Sequence, residues 1–369
     1  MIVAFCIYKY FPYGGLQRDF LRIAQEVLSR GHKVRVYTQK WEGSIPESFN
    51  IITVPVSGIT NYGKNETFSN WVIKHLQDHP VDRVVGFNRM PGLDIYFTGD
   101  ICFAEKTKNK TFLTKLLPRY RHYALYEKAV FQHGNKTKIL LLTPNHQKIF
   151  QEYYQTEDER FFLLPPGIDK SRRYCAQPQD TRVKFRQEFG LTDNELLTLQ
   201  VCSNFELKGV DRSLRAIASL SEDVKNNVRL YVVGQDSAGK MQALATELGI
   251  SKQVQFFSGR DDIASFMMGA DLMLHPARQE AAGIVILESI VSGLPIIVSG
   301  VCGYSHFVKD ANVGIVLSDP FNQTEYNKMV DHALRNQALR QQWGKNAIQF
   351  TDSTDLYSLP SKACDIILG

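Results

Sequence analysis

Short apolar, β-branched runs alternate with stretches of helical periodicity along this chain, and the alternation breaks once and then restarts. Few architectures fit that pattern, because strands separated by helices pair in parallel and need helices over both faces of the sheet. Ile2–Tyr8 predicts a buried strand. From Leu16 the apolar residues Leu16, Phe20, Ile23, Ala24, Val27 and Leu28 recur at helical spacing, and Gly31 ends that helix. Val34–Tyr37, Val81–Phe87 and Lys138–Leu142 continue the strand series. At Leu163-Leu-Pro-Pro-Gly-Ile-Asp169, two prolines and a glycine stop either kind of element. Beyond it, strands Leu196–Cys202, Arg229–Val233, Val254–Phe257 and Leu272–Leu274 alternate with helices Val210–Leu220, Met241–Leu248, Ile263–Met268 and Gly283–Ser292. A length of 369 residues also exceeds what one core usually supports. The expectation is an α/β chain of two Rossmann-like domains, 1–165 and 166–345, with a ligand-binding cleft between them. The segment 346–369 is expected to pack back on the first domain.

Composition excludes several classes. With 44% apolar and 22% charged residues the chain can fill packed cores and is not largely disordered. Its six cysteines are scattered with no Cys-x-x-Cys pair, which suggests a reducing compartment and no structural zinc. The apolar start Met1–Ile7 is short and is followed rather than preceded by Lys9, so it reads as a strand and not a signal peptide. Ala281–Ser299 is interrupted by Glu288, Gly293 and Pro295, too often to span a bilayer. The net charge of +5 is concentrated: between Phe103 and Val130 seven cations face only Glu105 and Glu127. Elsewhere the charges balance, which argues against a nucleic-acid partner.

The strongest chemical motif is Leu274-His-Pro-Ala-Arg-Gln-Glu280-Ala-Ala-Gly-Ile-Val-Ile-Leu-Glu288. It leaves a strand, crosses a small-residue loop and enters a helix. Ala281, Ala282, Gly283, Ile284 and Val285 would bring backbone amides and a helix N-terminus to a phosphate. Glu280, before the helix, would face the cleft, and Glu288, about two turns in, could accept hydrogen bonds from ribose hydroxyls. Read singly, Glu288 could be a solvated helix residue and Glu280 a partner of the helix dipole.

This Glu-x7-Glu segment resembles that of retaining GT-B glycosyltransferases of the large sucrose-synthase-like group, family 4. Lys208, in Phe205-Glu-Leu-Lys-Gly-Val-Asp-Arg, matches the basic position after the first strand of their second domain. A closer resemblance lies in Tyr8-Lys-Tyr-Phe-Pro-Tyr-Gly-Gly-Leu-Gln-Arg-Asp-Phe20, His32 to Gly43, Asp82–Asn88, Met90-Pro-Gly-Leu-Asp94, Arg119-Tyr-Arg-His-Tyr123 and Asp355–Pro360. These segments look like the lipopolysaccharide core glucosyltransferases, which add the first glucose to the inner-core heptose. The resemblance implies UDP-glucose as donor, a heptosylated lipopolysaccharide core as acceptor, and a cytoplasmic enzyme at the inner face of the inner membrane. One position departs from it: Leu207 stands where the family carries an arginine beside the lysine.

Transfer from UDP builds negative charge on the departing diphosphate. The chain has no Asp-x-Asp pair placed to hold a divalent ion, so no metal or other cofactor is expected, and fixed cations must stabilise that charge. Lys208 is the first candidate, supported by Arg172 past the Pro-Pro-Gly and by Arg260, whose loop would flank the uracil as the family implies. Gly15, after the first strand, would let a backbone approach the phosphates, and Asp19 one turn on could bind sugar or acceptor. Retention suggests front-face attack, with Glu280 orienting glucose hydroxyls. Asp100, after Ile95–Phe97, is a further candidate near the acceptor.

Segment 103–130 interleaves Lys106, Lys108, Lys110, Lys115, Arg119 and Arg121 with Phe103, Phe112, Tyr120, Tyr123 and Tyr126 and with Leu113, Leu116 and Leu117. Cations attract anionic headgroups and aromatic rings settle at the interface, so anionic lipid is the expected partner there. Two rival readings stay open: another UDP-sugar enzyme on this fold, such as a 2-epimerase or a transferase of a different hexose, and a catalytically silent nucleotide-binding scaffold at the membrane.

Overall fold

The structure, a computed structural model, describes residues 1–12, 14–169 and 178–369. Arg172 lies outside them. The chain divides into one unit of Met1–Gly167 with Tyr357–Gly369 and a second of Ile168–Leu356.

The first unit is built on seven parallel strands: β1 (Ile2–Cys6), β2 (Lys33–Thr38), β3 (Phe49–Thr53), β4 (Arg83–Gly86), β5 (Ile95–Phe97), β6 (Lys138–Leu141) and β7 (Phe161–Leu163), in the order β3-β2-β1-β4-β5-β6-β7. β1 is apolar on both faces because it is central, pairing Val3 with Val34 on one side and with Arg83 on the other. It stops at Cys6 rather than continuing to Tyr8 as its composition suggests, since the Tyr8 amide is taken by the Asn88 side chain at 2.7 Å. Helix α1 (Gly15–Ser29) turns Phe20, Ile23, Ala24 and Val27 into the core, and Gly31 ends it at a φ of 83°. Helices α2 (Asn61–Asp78), α3 (Phe103–Lys106), α4 (Phe112–Leu116), α5 (Pro118–Phe131) and α6 (Pro144–Tyr154) follow. The C-terminal helix Leu359–Leu368 joins this unit by packing on α1, with Arg30 donating to Asp365 at 2.6 Å.

The second unit repeats the plan with six parallel strands: β8 (Leu196–Val201), β9 (Val228–Val233), β10 (Val254–Phe257), β11 (Leu272–His275), β12 (Ile296–Ser299) and β13 (Gly314–Leu317), in the order β10-β9-β8-β11-β12-β13. Helix α7 (Pro178–Glu188) enters the sheet, α8 (Val210–Ala218) follows β8, α9 (Ile263–Gly269) precedes β11 and α10 (Ile284–Val291) follows it. Helix Gln337–Ser353 packs on α10 through buried Trp343 and Ala347, so residues 346–356 stay with the second unit and the return begins at Tyr357.

Both sheets place their first strand between their second and fourth. The direction of winding therefore reverses beside β1 in one unit and beside β8 in the other, and the loops at the carboxyl ends of those strands splay apart there.

Candidate active site

In the second unit that reversal lies between β8 and β11, and both adjoining loops carry charge. The loop after β8 curls into α8 through Gly209, whose φ is 71° and whose missing Cβ leaves room for the Pro276 carbonyl from the loop after β11. Arg278 reinforces this contact: its amide donates to the Leu207 carbonyl at 2.8 Å and its guanidinium to the Glu206 carbonyl at 2.7 Å. The same guanidinium grips Asp211 with two bonds of 2.7 Å each.

The two loops, locked together, bring Lys208 Nζ to 2.5 Å from Glu280 Oε2 and 3.4 Å from the Gln279 carbonyl. His275, the last residue of β11 and only 1% exposed, holds Nε2 at 3.4 Å from the same Glu280 oxygen. Burial would by itself raise the Glu280 carboxyl, but the His275 ring and the Lys208 ammonium outweigh it and draw it down to about 2. Glu280 is therefore a fixed carboxylate at neutral pH.

Beyond it, Ala281 and Ala282 lead to Gly283, which caps α10 at a φ of 90°. A Cβ there would come within 2.8 Å of Ile286 Cδ1 and 3.1 Å of Glu280 Cγ, so a side chain would disturb both the cap and the carboxylate. Val285 is buried in the first turn of α10, and Glu288 is not a solvated residue: it is 4% exposed. Together the loops present an ammonium, a held carboxylate and a helix N-terminus, a set suited to an anionic ligand bearing hydroxyl groups.

The sequence pattern of the family described as "Glycosyl transferases group 1" matches residues 181–350. Across 370 aligned residues the chain is 54% identical to the lipopolysaccharide glucosyltransferase WaaG of Escherichia coli K12, covering 100% of this chain and 99% of that protein. The chain belongs to the WaaG family of glycosyltransferases. The crystal structure of WaaG, a glycosyltransferase involved in lipopolysaccharide biosynthesis, superposes with a TM-score of 0.96 at 54% identity, with 100% of each chain covered. Sucrose-phosphate synthase of Thermosynechococcus elongatus shares the fold alone, with a TM-score of 0.79 at 15% identity over 99% of this chain and 98% of that one. The protein is thus a hexosyltransferase of the GT-B fold.

The remaining candidates of this glycosyltransferase are dispersed. Arg260 is clamped by Asp262 through two bonds of 2.7 Å and lies over the Phe266 ring, which makes it the brace of α9. In the first unit, Asp19 is ion-paired one turn along α1 with Arg22, at 3.1 Å. Gly15 opens α1, exposed, and a Cβ on it would meet nothing within 4 Å. Asp100 is exposed just past β5, where its carbonyl accepts from Arg89 at 3.2 Å. Among the described residues no group of three or more His, Cys, Asp or Glu side chains could hold a metal ion.

Two residues were not singled out from the sequence. His275 carried the signal of a histidine ending a strand next to Glu280. Arg278 had none, since its value lies in reaching Asp211, 67 positions away.

The basic segment 103–130 spans α3, α4 and α5, with Lys106, Lys108, Lys110, Arg119 and Arg121 exposed and Lys115 half-buried. Phe112 and Leu113 are 74% and 76% exposed, and Leu116, Leu117 and Leu125 also face outward. Two expectations for this segment need correcting. Tyr126 is a core residue bonded to Ser69 at 2.5 Å, because its position on α5 faces α2. Glu127, one of the two acidic residues set against the segment's cations in the charge count, is fully buried. It accepts from the Phe103 and Ala104 amides at 2.7 and 2.9 Å and from the Tyr154 hydroxyl at 2.6 Å, and it pairs with Arg89 at 2.8 Å. It thus fastens the start of α3 to α5, and the outer face is more cationic than the sequence count suggests. No helix of the described residues is long and apolar enough to cross a membrane.

Proposed function

We propose that this enzyme transfers glucose from UDP-glucose to a heptose of the lipopolysaccharide inner core, with retention of configuration and without a metal ion. The observation that carries this reading is the Lys208–Glu280 pair set beside the Gly283 helix N-terminus. An ammonium has three donors; one goes to Glu280 and one, at 3.4 Å, to the Gln279 carbonyl, which leaves a third for a diphosphate oxygen. The α10 amides and the positive end of its dipole add stabilisation as the bond to the leaving group breaks. Glu280, ionised and held, accepts hydrogen bonds from the glucose hydroxyls, and Glu288 takes the ribose. Arg172 and Arg260 remain candidates for the outer phosphate and the uracil side, and Asp19 and Asp100 for the acceptor. In the front-face mechanism the C1–O bond to UDP breaks while the acceptor oxygen bonds C1 on the same face, and the acceptor's proton passes to the departing phosphate.

Mass spectrometry of heptose-terminated lipopolysaccharide incubated with a panel of UDP-sugars tests the reading. One added hexose from UDP-glucose, unaffected by a chelator, is the expected product. Preference for another sugar, a donor altered without acceptor, or activity lost to chelator and restored by manganese would each overturn it.

Gly15 provides a separate prediction. Alanine at this helix start meets no steric obstacle and has the better helix propensity, so Gly15→Ala should leave the melting temperature unchanged or slightly raised. If the Gly15 backbone closes on the diphosphate, kcat/KM falls roughly tenfold, because small misplacements near the reacting atoms are costly. Unchanged kinetics would remove Gly15 from the site.

The exposed cations and apolar side chains of α3–α5 support attachment to anionic lipid, at ~1 kcal/mol for each cation near the surface. In flotation assays the protein should rise with anionic vesicles and be released by salt. Failure to bind, or binding insensitive to salt, would end this part of the reading.

A further inference from the structure

Two buried polar side chains adjoin the Lys208–Glu280 pair without a part in the transfer described above, Gln200 and His275. Gln200 is on β8 and fully buried, and its Nε2 donates to the Lys208 carbonyl at 2.8 Å. Its Oε1 has no hydrogen-bond partner among the described residues. His275, at the end of β11, holds Nε2 3.4 Å from Glu280 Oε2, a contact without hydrogen-bond geometry. Its Nδ1 also has no hydrogen-bond partner among the described residues. Buried polar atoms are costly without partners, so open ones beside a binding site point to bonds made in another state.

Donor binding changes the demand on Glu280. The Lys208 and Glu280 side chains are only 16% and 17% exposed, so water screens their charges little. A doubly anionic diphosphate competes for that one ammonium, and the carboxylate keeps only part of its counter-charge. A carboxylate so placed moves or takes up a proton unless another donor holds it. The titratable side chains acting on it include Cys202 and Lys208 after β8, His275 on β11 and Cys302 in the loop after β12. Burial pushes both thiols up, Cys202 to about 12, so they stay weak S–H donors. Of these groups the imidazole is the strong donor left. A small rotation of either side chain closes the 3.4 Å gap to an ordinary hydrogen bond.

We infer that Gln200 and His275 are positioning residues that serve the two ends of the donor separately. Gln200 holds the Lys208 backbone for the diphosphate, and His275 takes over the Glu280 carboxylate for the sugar when Lys208 turns to that diphosphate. The inference rests on the proposed transfer from a UDP-sugar and extends it to what keeps Glu280 in place as the donor binds.

The test uses full-length His275→Ala, His275→Gln, His275→Asn and Gln200→Met, each checked by thermal melting. UDP affinity is read by calorimetry, and kcat/KM for UDP-glucose with heptose-terminated lipopolysaccharide as acceptor. His275→Ala should lower kcat/KM about tenfold, the scale of one hydrogen bond to a charged group, while UDP affinity stays at the wild-type value. Glutamine places its amide nitrogen near the position of Nε2 and asparagine near that of Nδ1. His275→Gln should therefore recover most of the loss and His275→Asn little of it, a comparison that stands even if His275→Ala does not fold. Gln200→Met, of nearly the same shape, should weaken UDP binding severalfold with a parallel fall in kcat/KM. UDP affinity falling in step with kcat/KM in the His275 variants, unchanged kcat/KM, or equal recovery by asparagine would overturn the role of His275. Wild-type UDP affinity in Gln200→Met would overturn that of Gln200. A wild type that binds no UDP, or transfers nothing from UDP-glucose, fails at the proposed function itself, a result distinct from either.

Discussion

Lys208→Ala should lower kcat/KM by at least ~3 kcal/mol, more than a hundredfold, the scale of losing one fixed donor to a developing negative charge. Leu207 cannot substitute for the missing ammonium, and neighbouring Arg278 is already committed to Asp211 and the Glu206 carbonyl. The loss should appear in UDP affinity as well as in turnover. Near-wild-type turnover would mean that the diphosphate is held elsewhere.

The same variant has a pH signature. The folded-state pKa of Glu280 is depressed to about 2, below its ordinary carboxylate value, by His275 and Lys208 acting against burial. A depressed carboxyl contributes stability that is complete above its unfolded pKa and is lost as pH falls through the folded one. Removing Lys208 raises the folded value and narrows that window, so acid unfolding of Lys208→Ala should begin at higher pH than in the wild type. Superimposable acid-denaturation curves would show that the 2.5 Å pair contributes little in solution.

Glu127→Gln should be the most damaging single change in the first unit, costing ~3–5 kcal/mol in denaturant unfolding, because it strands the Arg89 charge, which is only 13% exposed, beside a fully buried site. The two α3 amides and the Tyr154 hydroxyl would also lose a charged acceptor. Burial, then the neighbouring Glu127 carboxylate, pushes the Tyr154 phenol up, so it remains a donor throughout the accessible range. Arg89→Met should be similarly harmful, yet the double variant should lose less than the sum, since neither charge is then left alone. Strict additivity would show that the pair is not coupled. Because Glu127 anchors the start of α3, Glu127→Gln should also weaken vesicle flotation although it makes the segment more cationic by one charge.

Much of the fold was legible. β1, α1 and the β8-to-α10 series follow from β-branched runs, helical spacing and glycine stops, which report local backbone preference and burial. Phe161–Leu163 was not read as a strand because a short edge strand beside two prolines has a weak pattern; its pairing with Ile139–Leu141 identifies it. Glu280 and Gly283 could be nominated from motif and spacing and Lys208 from the family resemblance, whereas His275, although it ends a strand five residues before Glu280, was not recognised as their partner.

The sequence by itself determined the parallel α/β alternation, its restart past the prolines and the strand–loop–helix that carries Glu280, since each is written in contiguous residues. Tertiary structure alone decided which charges meet. Lys208 and Glu280 are 72 positions apart, Glu127 proved to be a buried anchor, and five amides from four stretches of chain line one cavity. The physical reason is that periodicity encodes which side of an element is buried, while strand order determines which loops share a sheet edge, and strand order depends on the packing of the whole unit.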